Sequence, residues 1–172
     1  TSWPDGPNGP TIPELREMYP DNEIIDRDTV KFWDHKPSVD AVKKTGRTKL
    51  IMAAIDTTTC LSFAAIYGVQ NGYDVYAVID ASSTFTSRDE QVAITRMAHA
   101  GVVVTTWVPV LAELANNTVK NGVHIADLLA AHSGTYSAAW TNYMQTAKSA
   151  PIVKQYLDEA RKAAGVDPVR GW

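Results

Sequence analysis

The chain has 172 residues, 45% hydrophobic and 20% charged, which is enough for a compact domain with a hydrophobic core. Its formal net charge is -3 and its lysines and arginines are scattered, which argues against the basic patch of a nucleic-acid-binding protein. No apolar run approaches the roughly 18 residues that span a bilayer, so we expect neither a nucleic-acid nor a membrane partner.

The first two thirds of the chain alternate short β-branched runs with longer segments of helical pattern. The strand-like runs lie at residues 23–26, 48–55, 73–80 and 101–107. Helices are predicted between the later runs, over 60–70 and 88–100. The second of these has an apolar stripe that includes Ala93 and Met97, and it stops before Gly101. This alternation predicts an α/β fold with a parallel sheet and βαβ connections.

Beyond about residue 108 the strand-like runs stop and the pattern predicts successive helices. Breaks between them are expected at Asn116-Asn117, Gly134 and Pro151. The last residues, GVDPVRGW, have turn chemistry, and we expect the tail to dock on a neighbour or to fray. The chain is accordingly divided into a domain over residues 1–148 and a C-terminal helical tail over residues 149–172.

The only cysteine, Cys60, follows the loop DTTT at the end of a predicted strand. Ligands of open parallel sheets bind beyond this end of the strands, and the loop leads into a helix. At a helix N-terminus, unpaired N–H groups and the helix dipole favour a thiolate and can hold an oxyanion. The alternative is that the threonines cap the helix and that Cys60 is a small apolar core residue. A single cysteine forms no internal disulfide, which favours a reducing, cytoplasmic location.

Other strand ends carry polar and aromatic candidates for a pocket. Asp80 follows a strand and either lines the pocket or caps a turn. Arg27 and Lys31 lie beside Phe32 and Trp33, forming either a cationic pocket with aromatic walls or a solvated loop with two anchoring rings. The histidines show no spacing typical of a metal site, and no GxGxxG motif follows a strand. We therefore expect no metal and no cofactor, and nucleotide binding is disfavoured.

Several stretches of the sequence together resemble a known family. These are GRTKLIMAAIDTTTCLSFAAIYGVQNGYDVYAVIDASSTF, RMAHAGVVVTTWVPVLAEL and, near the start, TSWPDGPNGPTIPEL and FWD. They resemble the isochorismatase-like cysteine hydrolase superfamily, and in particular its YcaC-like branch. The resemblance extends from Thr1 to about Ser149. It implies a Rossmann-like, three-layer α/β/α fold whose parallel sheet has the strand order 3-2-1-4-5-6.

The resemblance also implies a catalytic triad of a nucleophilic cysteine, an acid and a base. Cys60 matches the nucleophile. Asp56 and Thr57 match a position where the family carries a cis peptide, which directs N–H groups of the Thr59–Cys60 region towards the oxyanion.

The base of the triad is usually a lysine, and the matching residue here is Arg27. Arginine stays protonated, so it can stabilise a thiolate or an oxyanion but cannot shuttle a proton; Lys31 is the alternative base. The acid of the triad is an aspartate at the end of the first strand, which would precede Thr1. We therefore expect the chain to lack this central strand and the catalytic aspartate. Because a sheet without the strand would leave buried amides unpaired, we expect the sequence to cover only part of the polypeptide or the upstream piece to be supplied as a separate segment.

These features predict hydrolysis of a small amide-like or ester-like substrate through a thioester intermediate on Cys60. The alternative is a non-catalytic, oligomeric ligand-binding protein that retains the hydrolase fold, which the arginine in place of lysine favours. In either case the resemblance implies a homo-oligomer, often an octamer in this branch.

Overall fold

The computed structural model describes residues 5, 6 and 9–164, apart from the side chains of residues 118, 119, 147–149, 153, 154 and 164. The chain forms two compact units that divide between Trp107 and Val108. The division into 1–148 and 149–172, which follows from the family resemblance, stays a prediction. None of the helices in the described part of the chain is long and apolar enough to cross a membrane.

The first unit contains a parallel sheet of three strands in the order β1-β2-β3. The strands are β1 (Lys49–Met52), β2 (Asp74–Val78) and β3 (Val103–Thr105). Their helices are α1 (Pro13–Met18), α2 (Lys36–Lys44), α3 (Ser62–Gln70) and α4 (Ser87–His99). Because α3 connects β1 to β2 and α4 connects β2 to β3, the predicted α/β fold with a parallel sheet is confirmed.

The predicted strand at 23–26 does not form. These residues are irregular, with an isolated bridge at Asp26. A short run such as EIID has residues that suit a strand, but whether it forms one depends on the strands available to pair with it. The sheet of the described residues begins instead at Lys49.

The core of this unit lies between the sheet and the two connecting helices. Its buried residues are Leu61, Ala65, Val75, Ala77, Met97 and Val102. Gly68 lets α3 lie close to β2, since a Cβ at this position would stand 2.9 Å from a methyl carbon of Val75. On the opposite face of the sheet, Ile51 and Val103 are about half exposed.

The second unit is helical. Its helices are α5 (Trp107–Ala115, which begins at the last residue of the first unit), α6 (Thr118–His132), α7 (Gly134–Ser149) and α8 (Pro151–Ala164). Leu157 of α8 is buried with Val123 of α6, and Trp140 and Met144 of α7 pack against them. The part of the predicted tail that α8 covers is thus a helix packed on its neighbours in the chain, and residues 165–172 lie outside the described residues.

Candidate active site

Cys60 lies in a helical turn between the end of β1 and the start of α3. This turn, Thr57–Leu61, is π-helical and continues directly into α3. The N–H and the hydroxyl of Thr57 both donate to the carbonyl oxygen of Ser83, each at 2.7 Å. Ile55 and Ser83 also form an isolated parallel bridge. The turn that carries Cys60 is therefore fastened to the loop that follows β2.

The peptide bond between Ile55 and Asp56 is cis. The family resemblance implies a cis peptide at Asp56 and Thr57, and the observed cis bond lies one residue before that pair. It directly precedes Asp56, whose side chain caps the turn.

The carboxylate of Asp56 is surrounded by donors from the residues that follow it. One oxygen accepts from the N–H of Thr59 at 3.0 Å, from its hydroxyl at 2.7 Å and, at a long 3.5 Å, from the N–H of Cys60. The other oxygen accepts from the hydroxyl of Thr58. Burial opposes ionisation of Asp56, but the donors of residues 58–60 outweigh it and lower the pKa of this carboxyl below its usual value. Asp56 is therefore a buried anion at neutral pH.

This capping bears on the predicted oxyanion site. The N–H groups of Thr59 and Cys60, expected to face an oxyanion, are directed at Asp56 in this structure. The contact to Cys60 is longer than the usual 2.7–3.2 Å of an N–H···O bond, so this N–H is the less firmly held of the two. Thr57, named with them from the resemblance, is buried and bonded to Ser83.

The thiol of Cys60 is partly exposed and free of disulfide bonding. The neighbouring Leu61, rather than Cys60, enters the buried core. The hydroxyl oxygen of Thr59 lies 3.8 Å from the sulfur. Cys60 is therefore partly buried and is not among the buried residues of the core cluster.

The two predicted bases occupy different surroundings. Arg27 donates from Nη1 to the carbonyl oxygens of Thr29 and Val30, the latter at 2.8 Å, so its guanidinium braces its own loop. Lys31 places Nζ 4.9 Å from the centre of the Tyr67 ring. Because Tyr67 belongs to α3, Lys31 lies against the helix that carries Cys60.

The aromatic candidates anchor this loop. Trp33 donates from its indole nitrogen to the carbonyl oxygen of Ala64 at 2.7 Å, and its ring lies 5.2 Å from Tyr73 and 5.4 Å from Phe32. These contacts attach the loop to α3 and to Tyr73, as expected if the two rings anchor a solvated loop.

Asp80, the remaining pocket candidate, accepts from the N–H of Trp107 at 2.9 Å. The contact is the kind that the capping alternative expects, and the prediction that Asp80 lines a pocket stays a prediction. Sequence reasoning missed Tyr67 and Ser83. Neither has a local pattern that distinguishes it, because each meets the site through a contact between distant segments.

Comparison with known proteins places these features in a family. The family model for the isochorismatase domain matches residues 2–108. The chain belongs to the isochorismatase family. The predicted YcaC-like branch is also confirmed, since the chain is 37% identical over 144 residues to the probable hydrolase YcaC of Escherichia coli, covering 83% of this chain and 69% of that protein.

Solved structures of this isochorismatase branch agree with the fold. Escherichia coli YcaC, described as an octameric hydrolase of unknown specificity, matches with a TM-score of 0.80 over 85% of this chain and 72% of its own. YcaC from Pseudomonas aeruginosa, with hexane-2,5-diol and covalent acrylamide, is 35% identical and matches with a TM-score of 0.78, covering 83% of this chain and 71% of its own. A secreted isochorismatase effector of Phytophthora sojae is 29% identical over 115 residues, 63% of this chain and 54% of that protein.

Proposed function

We propose that this isochorismatase-family protein is a cysteine hydrolase that cleaves a small amide-like or ester-like substrate through Cys60. The observation that carries the proposal is the position of the thiol. It is partly exposed, it lies in the turn that opens α3, and this turn follows a strand of a parallel sheet, where ligands of such sheets bind.

The proposed reaction has two steps. The thiolate of Cys60 attacks the substrate carbonyl carbon and a C–S bond forms, while the C–N or C–O bond to the leaving group breaks and the leaving amine or alcohol takes a proton from solvent. Water then attacks the thioester, releasing the carboxylic acid and restoring the thiol. Arg27 and Lys31 are proposed to supply positive charge near the developing anion. The family resemblance assigns the activation of water to an aspartate at the end of the family's first strand.

A covalent adduct on a relative supports a reactive nucleophile in this branch. The Pseudomonas aeruginosa YcaC structure holds covalent acrylamide. Acrylamide captures thiolates by addition at its alkene carbon, so the adduct supports a nucleophilic thiol and not the acyl transfer itself. We propose that Cys60 supplies a nucleophile of the same kind.

The test is intact-mass analysis of the full chain after exposure to a panel of small amides and esters, together with product assays. We expect an adduct of the acyl group on Cys60 and turnover of at least one substrate. The Cys60→Ala variant must lose both, while Ser87→Ala, at the exposed first residue of α4, serves as a surface control. Turnover that survives in Cys60→Ala would refute the cysteine mechanism.

A non-catalytic ligand-binding protein is the second candidate. It is favoured by the bonding of the Thr59 and Cys60 N–H groups to Asp56 and of Arg27 to its own loop. In that case Cys60 forms no acyl adduct with any substrate, yet a small molecule raises the thermal midpoint of the protein. The two candidates thus give opposite results in the mass measurement, while the thermal midpoint establishes that a ligand binds.

The assembly is proposed to be a homo-oligomer, and an octamer by analogy with Escherichia coli YcaC. Light scattering coupled to size-exclusion chromatography measures the mass directly. A monomer at micromolar concentration would contradict this part of the proposal. The predicted cytoplasmic location, which is based on the single cysteine, is also a proposal, and localisation of a tagged chain tests it.

A further inference from the structure

We propose that Asp56 is a positioning residue that sets the pH at which Cys60 becomes a nucleophile. Its carboxylate holds the turn in place and, through its charge, keeps the thiol protonated to a higher pH than the helix start alone would. This inference deepens the proposed function and rests on Cys60 being the reactive group.

The first support is the geometry of the cap. Asp56 is buried, and its two oxygens accept four hydrogen bonds, all from residues 58–60. The last of these donors is the N–H of Cys60 itself, so the carboxylate lies beside the backbone of the nucleophile. A negative charge here cancels the positive end of the helix dipole, which would otherwise favour a thiolate.

The second support is the hydroxyl of Thr59, which lies between the carboxylate and the sulfur. Its oxygen is 2.7 Å from Oδ1 of Asp56 and 3.8 Å from Sγ of Cys60. A hydroxyl has a single proton, and the shorter contact to an anion takes it. The hydroxyl then has no proton left to donate to the sulfur 3.8 Å away, so it does not stabilise a thiolate there.

Other charges around the turn act in both directions. Lys31 lies over the ring of Tyr67, and Arg96 of α4 lies over the ring of Phe63 at 5.6 Å from its centre. Both rings belong to α3, so these two cations lie beside that helix and their charge opposes the effect of Asp56. The remaining charged or titratable residues on α4 and in the loop after β2 are Arg88, Asp89, Glu90, His99 and Asp80. Among these groups of the described residues, Asp56 is the one bonded to the backbone of Cys60.

The cap also explains how an oxyanion could be accommodated. The N–H of Cys60 is held at 3.5 Å, whereas that of Thr59 is held at 3.0 Å. The longer bond is the weaker one, so of the two N–H groups that of Cys60 is the more open to a second acceptor on a substrate.

The experiment measures the rate of alkylation of Cys60 by iodoacetamide as a function of pH, which needs no substrate. Asp56→Asn keeps an acceptor at Oδ1 and removes the charge. We expect the midpoint of the pH profile to fall by about one unit, the lower end of the effect of a neighbouring charge. For a thiol that titrates above pH 7, the rate at pH 7 then rises about threefold, because the larger thiolate fraction outweighs its lower nucleophilicity.

Asp89→Asn is the matched control. Asp89 is also a carboxylate in the first turn of a helix, bonded to the hydroxyl of Thr86 at 2.6 Å, but it lies on α4. Its midpoint should equal that of the unaltered protein. Circular dichroism establishes that each variant is folded, and Asp56→Ser, which retains a capping hydroxyl, replaces Asp56→Asn if the latter unfolds.

An unchanged or higher midpoint in a folded, neutral Asp56 variant would overturn the proposal. A lowered midpoint in a protein that turns over no substrate would support the role of Asp56 and reject the hydrolase function. If a substrate is found, the acid limb of its kcat/KM profile must shift by the same amount in Asp56→Asn, a result that loss of structure alone would not give.

Discussion

Leu61 joins the turn that carries Cys60 to the core of the first unit. Its side chain is 1% exposed and packs in the cluster that contains Ala65, Val75 and Met97. Leu61→Ala removes buried methyl groups and leaves a cavity, and such changes cost about 3 kcal/mol. With a denaturant slope of about 1.5 kcal/mol/M for a unit of this size, the urea midpoint should fall by about 2 M.

The assay is urea unfolding followed by tryptophan fluorescence, in which Trp33 reports on the first unit. Leu15→Ala is the matched control, because it is the same substitution on α1, where the side chain is 50% exposed, and surface changes usually stay within about 0.5 kcal/mol. Equal midpoints for the two variants would refute the assignment of Leu61 to the core.

Three further outcomes are expected. The pKa of Asp56 in the folded state lies below its usual value of 3.8. Its contribution to stability is therefore present above that pH and is lost as the pH falls through the folded pKa. Below about pH 4, the urea midpoint should fall less steeply with pH in Asp56→Asn than in the unaltered protein. Trp33→Phe loses the hydrogen bond to Ala64 and should cost about 1 kcal/mol in urea unfolding followed by circular dichroism, because the variant lacks the fluorescent reporter, and a cost near zero would contradict the anchoring role. Asp80→Ala removes the acceptor for the N–H of Trp107 and should cost about 1 kcal/mol, whereas an unchanged stability with altered ligand binding would restore Asp80 as a pocket residue.

The two helices that connect the strands of the first unit were predictable because their local patterns agree with their surroundings, whereas α1 and α2 were not predicted. Segments 60–70 and 88–100 correspond to the turn with α3 and to α4. Their ends follow from glycines that adopt positive φ angles, at Gly72 and Gly101, a conformation that glycine allows without strain. The strands are shorter than their apolar runs, since a strand lasts only as long as its partner is in register.

The site was predictable in its position but only partly in its bonding. Cys60 was placed at the start of a helix from the strand and the loop DTTT, and Asp56 is a typical capping residue. That the cap would occupy the N–H groups of Thr59 and Cys60 could not be deduced, because capping and oxyanion binding use the same donors. The partnership of Thr57 with Ser83 depends on how two distant loops meet, which the spacing of residues along the chain does not encode.

The packing of α8 has a practical consequence for shortened versions of the protein. Asp127 of α6 accepts from the indole of Trp140 at 2.9 Å and pairs with Arg161 of α8 at 3.3 Å. Deleting everything after residue 148 would take away Arg161 and Leu157 together, leaving a largely buried carboxylate without its cation and exposing Val123 to water. A truncated protein that aggregates would therefore reveal damage to this helical unit, and it would carry no information about whether the domain boundary was chosen well.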